Sequence, residues 1–176
     1  MTHIAPVPAS EITVKPFRFT DDGLVPNNPG LPVLVYSGAL REHPESAEEL
    51  FNRNGWGNSW QNGVFGYHHY HGNSHEVLGV MRGSARLQLG GEHGAALEVR
   101  AGDIVVLPAG TGHKRLSASS DFRVAGAYPG GMSYNTRRDN TADHDAALAE
   151  IPRVPLPDSD PVYGAQGPLL ERWRES

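Results

Sequence analysis

Gly63-Val64-Phe65-Gly66-Tyr67-His68-His69-Tyr70-His71-Gly72-Asn73-Ser74-His75-Glu76-Val77-Leu78-Gly79-Val80-Met81-Arg82-Gly83 carries four of the chain's nine histidines. Two β-like runs, Val64–Tyr70 and Glu76–Arg82, flank the polar turn Gly72-Asn73-Ser74, which is the pattern of a hairpin. Side chains alternate across a strand, so His69 and His71, two residues apart, leave the same face. The antiparallel return then carries the Glu76 carboxylate back beside them. His75 is a rival for that place. It precedes Glu76 by one residue and therefore faces the opposite side of the strand, so strand parity and the six-residue gap to Gly83 favour Glu76.

Working outward, Gly102-Asp103-Ile104-Val105-Val106-Leu107-Pro108-Ala109-Gly110-Thr111-Gly112-His113 reads as a buried strand, a Pro-Gly turn and a histidine that opens the return strand. His113 completes a set of three imidazoles and one carboxylate: His69, His71, Glu76 and His113. Nitrogen and oxygen donors of this kind suit one divalent transition metal, whether Fe, Mn, Ni, Zn, Co or Cu, and a six-coordinate ion keeps positions open for a ligand. The bland alternative, in which these groups satisfy one another and bind nothing, must bury three inward histidines with no compensating cation. Further short runs at Ala85–Leu89, Leu97–Arg100, Ile104–Leu107, His113–Ser117 and Phe122–Tyr128 bring the strand count to seven, the mark of a sandwich or barrel.

These residues resemble the cupin family. Gly63, five residues, His69-Tyr70-His71, four residues, Glu76, six residues and Gly83 match its first motif; Gly102, five residues, Pro108-Ala109-Gly110, two residues and His113 match its second, with 18 residues between the two. The asparagine that closes the second motif is replaced by Ser117, a position that is not a ligand in the family. Through Pro26-Asn27-Asn28-Pro29, Tyr67-His68-His69-Tyr70-His71, Gly126-Ala127-Tyr128-Pro129 and Asp160-Pro161-Val162-Tyr163-Gly164 the chain is similar, nearly end to end, to single-domain bacterial cupins of the YjlB type. The resemblance implies an all-β fold, a double-stranded β-helix or jelly-roll barrel, with one or two short peripheral helices and a metal on His69, His71, Glu76 and His113.

The rest of the chain is consistent with one cupin domain over residues 1–176, its barrel core at about 63–128. Twenty-one glycines and fourteen prolines suit short strands and tight turns. Fifteen Lys and Arg against 20 Asp and Glu give a net charge of -5 with no basic block, which argues against nucleic acid and anionic membranes as partners. Cysteine is absent, so thiolate sites are excluded. With no basic leader and no run of spanning length, a cytoplasmic protein is expected. Residues 1–31 read as an irregular arm, 31–36 as a strand, 44–54 and 141–150 as helices, and 152–176 as an apolar extended tail wrapping the barrel or a partner. Exposed edges and these apolar arms suggest a homodimer.

Among individual side chains, His68 and Tyr70 alternate with the ligands and should face away from the metal, toward a surface or interface. Tyr67 shares the ligand face, as pocket lining or core. Asn52–Asn62, with Trp56 and Trp60, reads as a pocket wall or, more simply, a packed loop. His93 and His144 read as solvated, and Arg137-Arg138 as an exposed basic pair. The expected function is a small-molecule metalloenzyme of dioxygenase or isomerase/lyase type, with Glu76 as both ligand and proton carrier. The alternative is a cupin that binds a small metabolite without turnover. No pair of DNA-reading helices accompanies the barrel.

Overall fold

A computed structural model describes residues 4–174. In chain order the elements are β1 (Thr13–Phe17), β2 (Val33–Ser37), α1 (Ala47–Arg53), β3 (Trp56–Asn62), β4 (His69–Tyr70), β5 (Glu76–Arg82), β6 (Ser84–Leu89), β7 (Ala95–Arg100), β8 (Ile104–Leu107), β9 (His113–Ala118), β10 (Arg123–Pro129), β11 (Arg137–Arg138), α2 (Thr141–Glu150) and α3 (Pro168–Arg174). Two antiparallel sheets form, a six-stranded one in the order β1-β2-β8-β5-β10-β3 and a five-stranded one in the order β11-β4-β9-β6-β7. No helix among the described residues is long and apolar enough to cross a membrane.

Side-chain alternation explains why the larger sheet is apolar on both faces. Leu78 and Val80 of β5, Val33 and Val35 of β2, Val105 and Leu107 of β8 and Val124 of β10 point inward, where they meet Leu87, Leu89 and Val99 of the smaller sheet. Intervening residues, among them Leu34, Tyr36, Val77, Ile104, Val106, Ala125 and Ala127, point outward and pack beneath Leu50 and Phe51 of α1 and Leu169, Leu170 and Trp173 of α3. Each fully buried Leu or Phe of this kind contributes roughly 1.5–3 kcal/mol. Gly79 makes the close approach of α1 possible, because a Cβ there would lie 2.8 Å from both Ala47 Cβ and Phe51 Cζ.

Several expectations are corrected. The arm contains a strand, β1, paired with β2 from Thr13↔Ser37 to Phe17↔Val33. Residues 56–62 form β3, an edge strand on β10, rather than a loop. The expected strand Val64–Tyr70 shrinks to His69–Tyr70, and the expected hairpin with Glu76–Arg82 does not form: β4 pairs with β9 and β11 in the smaller sheet, whereas β5 lies between β8 and β10 in the larger one. The helix at 44–54 divides into a 3-10 turn, Pro44–Ser46, and α1. Helix α2 forms as expected, capped by Asn140, whose side chain accepts from the Asp143 N–H. The tail is not merely extended: it ends in α3 and buries Val162, Leu169 and Trp173 within its own chain. His144 is buried rather than solvated, and its Nε2 lies 2.8 Å from Asp21, tying α2 to the N-terminal arm.

Asp160 holds the tail in place. Its carboxylate accepts from the Tyr36 hydroxyl at 2.6 Å and from the N–H groups of Val162, Tyr163 and Leu169 at 2.8, 3.0 and 3.2 Å. Burial pushes its carboxyl up, while the same four donors oppose the shift. Replacement by alanine strands those donors away from water. Asp160→Ala is expected to cost about 3 kcal/mol in urea denaturation, whereas Tyr36→Phe, which removes one hydrogen bond, should cost about 1 kcal/mol.

Candidate metal centre

The site is assembled where the two sheets face each other. β4 and β9 place His69 directly opposite His113, and β5 begins with Glu76 opposite Leu107 of β8. One ring nitrogen of each histidine is already engaged by a main-chain carbonyl: His69 Nδ1 with Tyr67 O at 3.0 Å, His71 Nδ1 with Asn135 O at 2.6 Å and His113 Nδ1 with Thr111 O at 3.1 Å. A carbonyl only accepts, so each Nδ1 carries a proton, and a ring in its neutral form keeps a lone pair on Nε2. His71, Glu76 and His113, all buried, each offer a ligand atom, and these atoms lie within 4.8 Å of one another. His69 lines the same cavity, its ring centroid 4.1 Å from that of His113, but stands outside that tight group.

Glu76 is the electrostatic centre. It is 1% exposed, with Oε2 3.2 Å from His71 Nε2 and Oε1 3.3 Å from His113 Nε2. Burial alone would push its carboxyl up, yet His71 and His113 outweigh burial and hold it well below the usual carboxylate range. Burial disfavours charge on His71 as well, but the Glu76 carboxylate raises it overall. At His69 burial, together with the charge of His113, outweighs the Tyr67 bond and the Glu76 charge and pushes it down to about 3. Glu76 Oε1 is buried without a hydrogen-bond partner among the described residues. A buried carboxylate with one unbonded oxygen, 3.2 and 3.3 Å from the Nε2 atoms of two histidines, is a donor set that fits a cation.

The cavity in front of these groups has a volume of about 280 Å³, and its wall includes Trp60, Val64, Phe65, Leu78, Tyr128 and Tyr134. That is just below the lower end for drug-sized ligands, about 300 Å³. Sequence reasoning missed Tyr128 and Tyr134. Their rings stack at 3.9 Å, both stand edge-on to His71, and the Tyr128 hydroxyl donates to Glu76 Oε2 at 2.6 Å. Burial, then the Glu76 charge, raise the Tyr128 phenol far above its ordinary range. Trp60 Nε1 donates to the same hydroxyl at 2.9 Å. Its indole lies over Gly126, where a Cβ would overlap the ring. A signal for Tyr128 was present, since it shares β10 parity with the inward-facing Val124; Tyr134 lies in a loop, where no periodicity operates.

The remaining expected residues fall elsewhere. His75 faces away from the cavity: its Nδ1 accepts from the Ala109 N–H at 2.9 Å, its Nε2–H donates to Pro155 O at 3.2 Å and its ring packs on Trp173. His68 also points away, but it is buried and paired with Glu92 instead of lying at a surface. Tyr70 is buried with Ala147 and Ile151, beneath α2. Tyr67 backs His69 edge-on and carries the Arg138 guanidinium 3.6 Å above its ring. Arg137 is not a free cation; it bonds Glu150 at 2.7 Å and Asp143 at 2.9 Å, while Glu150 also accepts from the Asn135 side chain. Those bonds hold the loop whose carbonyl positions His71.

Comparison with known proteins agrees with this architecture. The cupin domain model matches residues 59–124, and the chain belongs to the cupin family. It is 48% identical over 157 residues to the uncharacterized protein YjlB of Bacillus subtilis (strain 168), an alignment covering 89% of this chain and 94% of that protein. Among solved structures, an acireductone dioxygenase from Bacillus anthracis, with a cadmium ion in its active center, aligns over 51% of this chain and 59% of its own at 17% identity and a TM-score of 0.34. A Bacillus subtilis oxalate decarboxylase aligns over 64% of this chain and 29% of its own, at 19% identity and a TM-score of 0.37. The chain thus spans less than two thirds of either solved protein, and likeness at that level says nothing of activity.

His75 supplies a pH test of strand parity. Burial pushes it down to about 4 from 6.5, with the bond to Pro155 opposing. Between these values the unfolded chain binds the extra proton, so stability is full above pH 6.5 and falls as pH drops toward 4. The slope is about 1.4 kcal/mol per pH unit for one proton. In urea melts at pH 6.5 and 4.5, His75→Gln should lose less stability than wild type; equal losses would show that His75 does not titrate there.

Proposed function

We propose that the chain is a metal-dependent enzyme acting on a small molecule, with one divalent transition metal held by His69, His71, Glu76 and His113 at the inner end of the aromatic cavity. The observation that carries this reading is the orphaned Glu76 Oε1 among imidazoles whose Nδ1 protons are all spent on backbone carbonyls. His69 joins as the fourth ligand because it lines the same cavity and its Nε2 has no other partner there. A bound ion would supply Lewis acidity or, if redox-active, oxygen chemistry.

The protein's own residues do the rest. Trp60, Phe65, Leu78, Tyr128 and Tyr134 bind the body of the ligand and exclude water from it. Neither Lys nor Arg is among the described residues that line the cavity, so a ligand is oriented by the metal and by ring contacts and not by an ion pair. Among the described residues Glu76 is the one carboxylate on the wall; held ionised it is a weak base, so it would take a proton only from a substrate position that a bound cation has made more acidic. The reaction is of dioxygenase or isomerase/lyase type.

Elemental analysis of protein purified without added metal should find one transition metal per chain, in wild type and in the exposed-loop variant His93→Ala. His113→Ala should lose most of it. Chelation should abolish turnover on a panel of phenols, diketones and sugars while leaving a cooperative melt, because the two apolar cores do not depend on the ion. A metal-loaded protein that binds such ligands without converting any of them is a binding module, and the enzymatic reading then fails.

A further inference from the structure

We infer that Tyr128 is a positioning residue that makes Glu76 a one-oxygen ligand: its hydroxyl occupies Oε2, so that Oε1 alone is left to face the metal. The inference rests on the metal-binding reading above and concerns how the carboxylate is presented. A free carboxylate can bind a cation through one oxygen or both. Here the two oxygens are unequal. Oε2 accepts from Tyr128 at 2.6 Å, whereas Oε1 is buried and has no hydrogen-bond partner among the described residues.

The direction of the Tyr128 bond is fixed by Trp60. An indole N–H only donates, so the phenol oxygen, 2.9 Å from Trp60 Nε1, must accept there. The single phenol proton is then committed to Glu76. Contacts to a charged acceptor at about 2.5–2.7 Å are among the strong hydrogen bonds. The phenol cannot swing aside, since Tyr128 is fully buried, stacked on Tyr134 at 3.9 Å and edge-on to His71 at 5.6 Å. Trp60 is confined in turn by its seat over Gly126 and by its place on β3, hydrogen-bonded to β10. The chain Trp60, Tyr128, Glu76 therefore locks the carboxylate rotation. A carboxylate restricted to one oxygen leaves one more coordination position for a ligand entering from the cavity.

Co(II) is the probe, read by its visible d–d spectrum and by competition with a chelator. Tyr128→Phe should bind Co(II) about 10–100-fold more weakly, the usual cost of losing a partner that orients a metal ligand, and with an altered spectrum. Trp60→Phe should shift both readouts the same way by less, and it decides the matter if Tyr128→Phe does not fold. Tyr36→Phe, which loses a buried phenol bond to Asp160 away from the cavity, should keep wild-type affinity and spectrum. Wild-type affinity and spectrum in Tyr128→Phe would overturn the inference and leave the metal reading intact. An equal loss in Tyr36→Phe would mark a general loosening and overturn it too. A wild-type protein that takes up no Co(II) would overturn both.

Discussion

A carboxylate in the interior of a small apolar barrel is the constraint around which this molecule is arranged. Removing a charge from water is expensive unless it is paired and hydrogen-bonded, and Glu76 is 1% exposed. Its neighbours answer that cost from three parts of the chain: His71 beyond β4, His113 at the start of β9 and Tyr128 near the end of β10. Each histidine is in turn oriented by a backbone carbonyl, so the geometry of the centre is inherited from the main chain. The loop carrying Asn135 is braced by Glu150 of α2, which links a peripheral helix to the orientation of His71.

That main chain is rigid because β5 is buried on both sides. Its inner face joins the barrel core, and its outer face lies beneath α1 and the folded-back tail. Gly79 lets α1 settle against the strand, and Asp160 anchors the tail through Tyr36 on β2. Elements far in sequence from the histidines thus decide how precisely Glu76 is aimed. His75, on the outer face of the same strand end, shows the partition directly: one residue from Glu76, it packs on Trp173 as a neutral core histidine.

Aromatic side chains give the cavity its chemical character. Tyr128 and Tyr134 form a stacked pair edge-on to His71, and Phe65 and Tyr67 stack beside His69. A wall of this kind, with no Lys or Arg among the described residues that line it, favours a ligand whose polar atoms converge on the centre and whose body is apolar.

His69, His71, Glu76 and His113 do line one cavity, but the local rule behind that expectation holds only in part: β4 and β5 lie in different sheets instead of forming a hairpin, and it is the pairing of β4 with β9 and the facing of the two sheets that bring the four together. The strands Glu76–Arg82 and Ile104–Leu107 and helix Thr141–Glu150 were legible locally, through apolar runs and an asparagine cap. Trp60, Tyr128 and Tyr134 were not legible as a group, since their meeting depends on β3 pairing with β10 and on where the loop after β10 returns. The burial of His68 and His144, the pairing of Arg137 with Glu150 and the folding of the tail into α3 are likewise set by partners 13 to 141 residues away. Residue type and spacing specify which groups share a strand face, whereas long-range packing alone specifies which partners those faces meet.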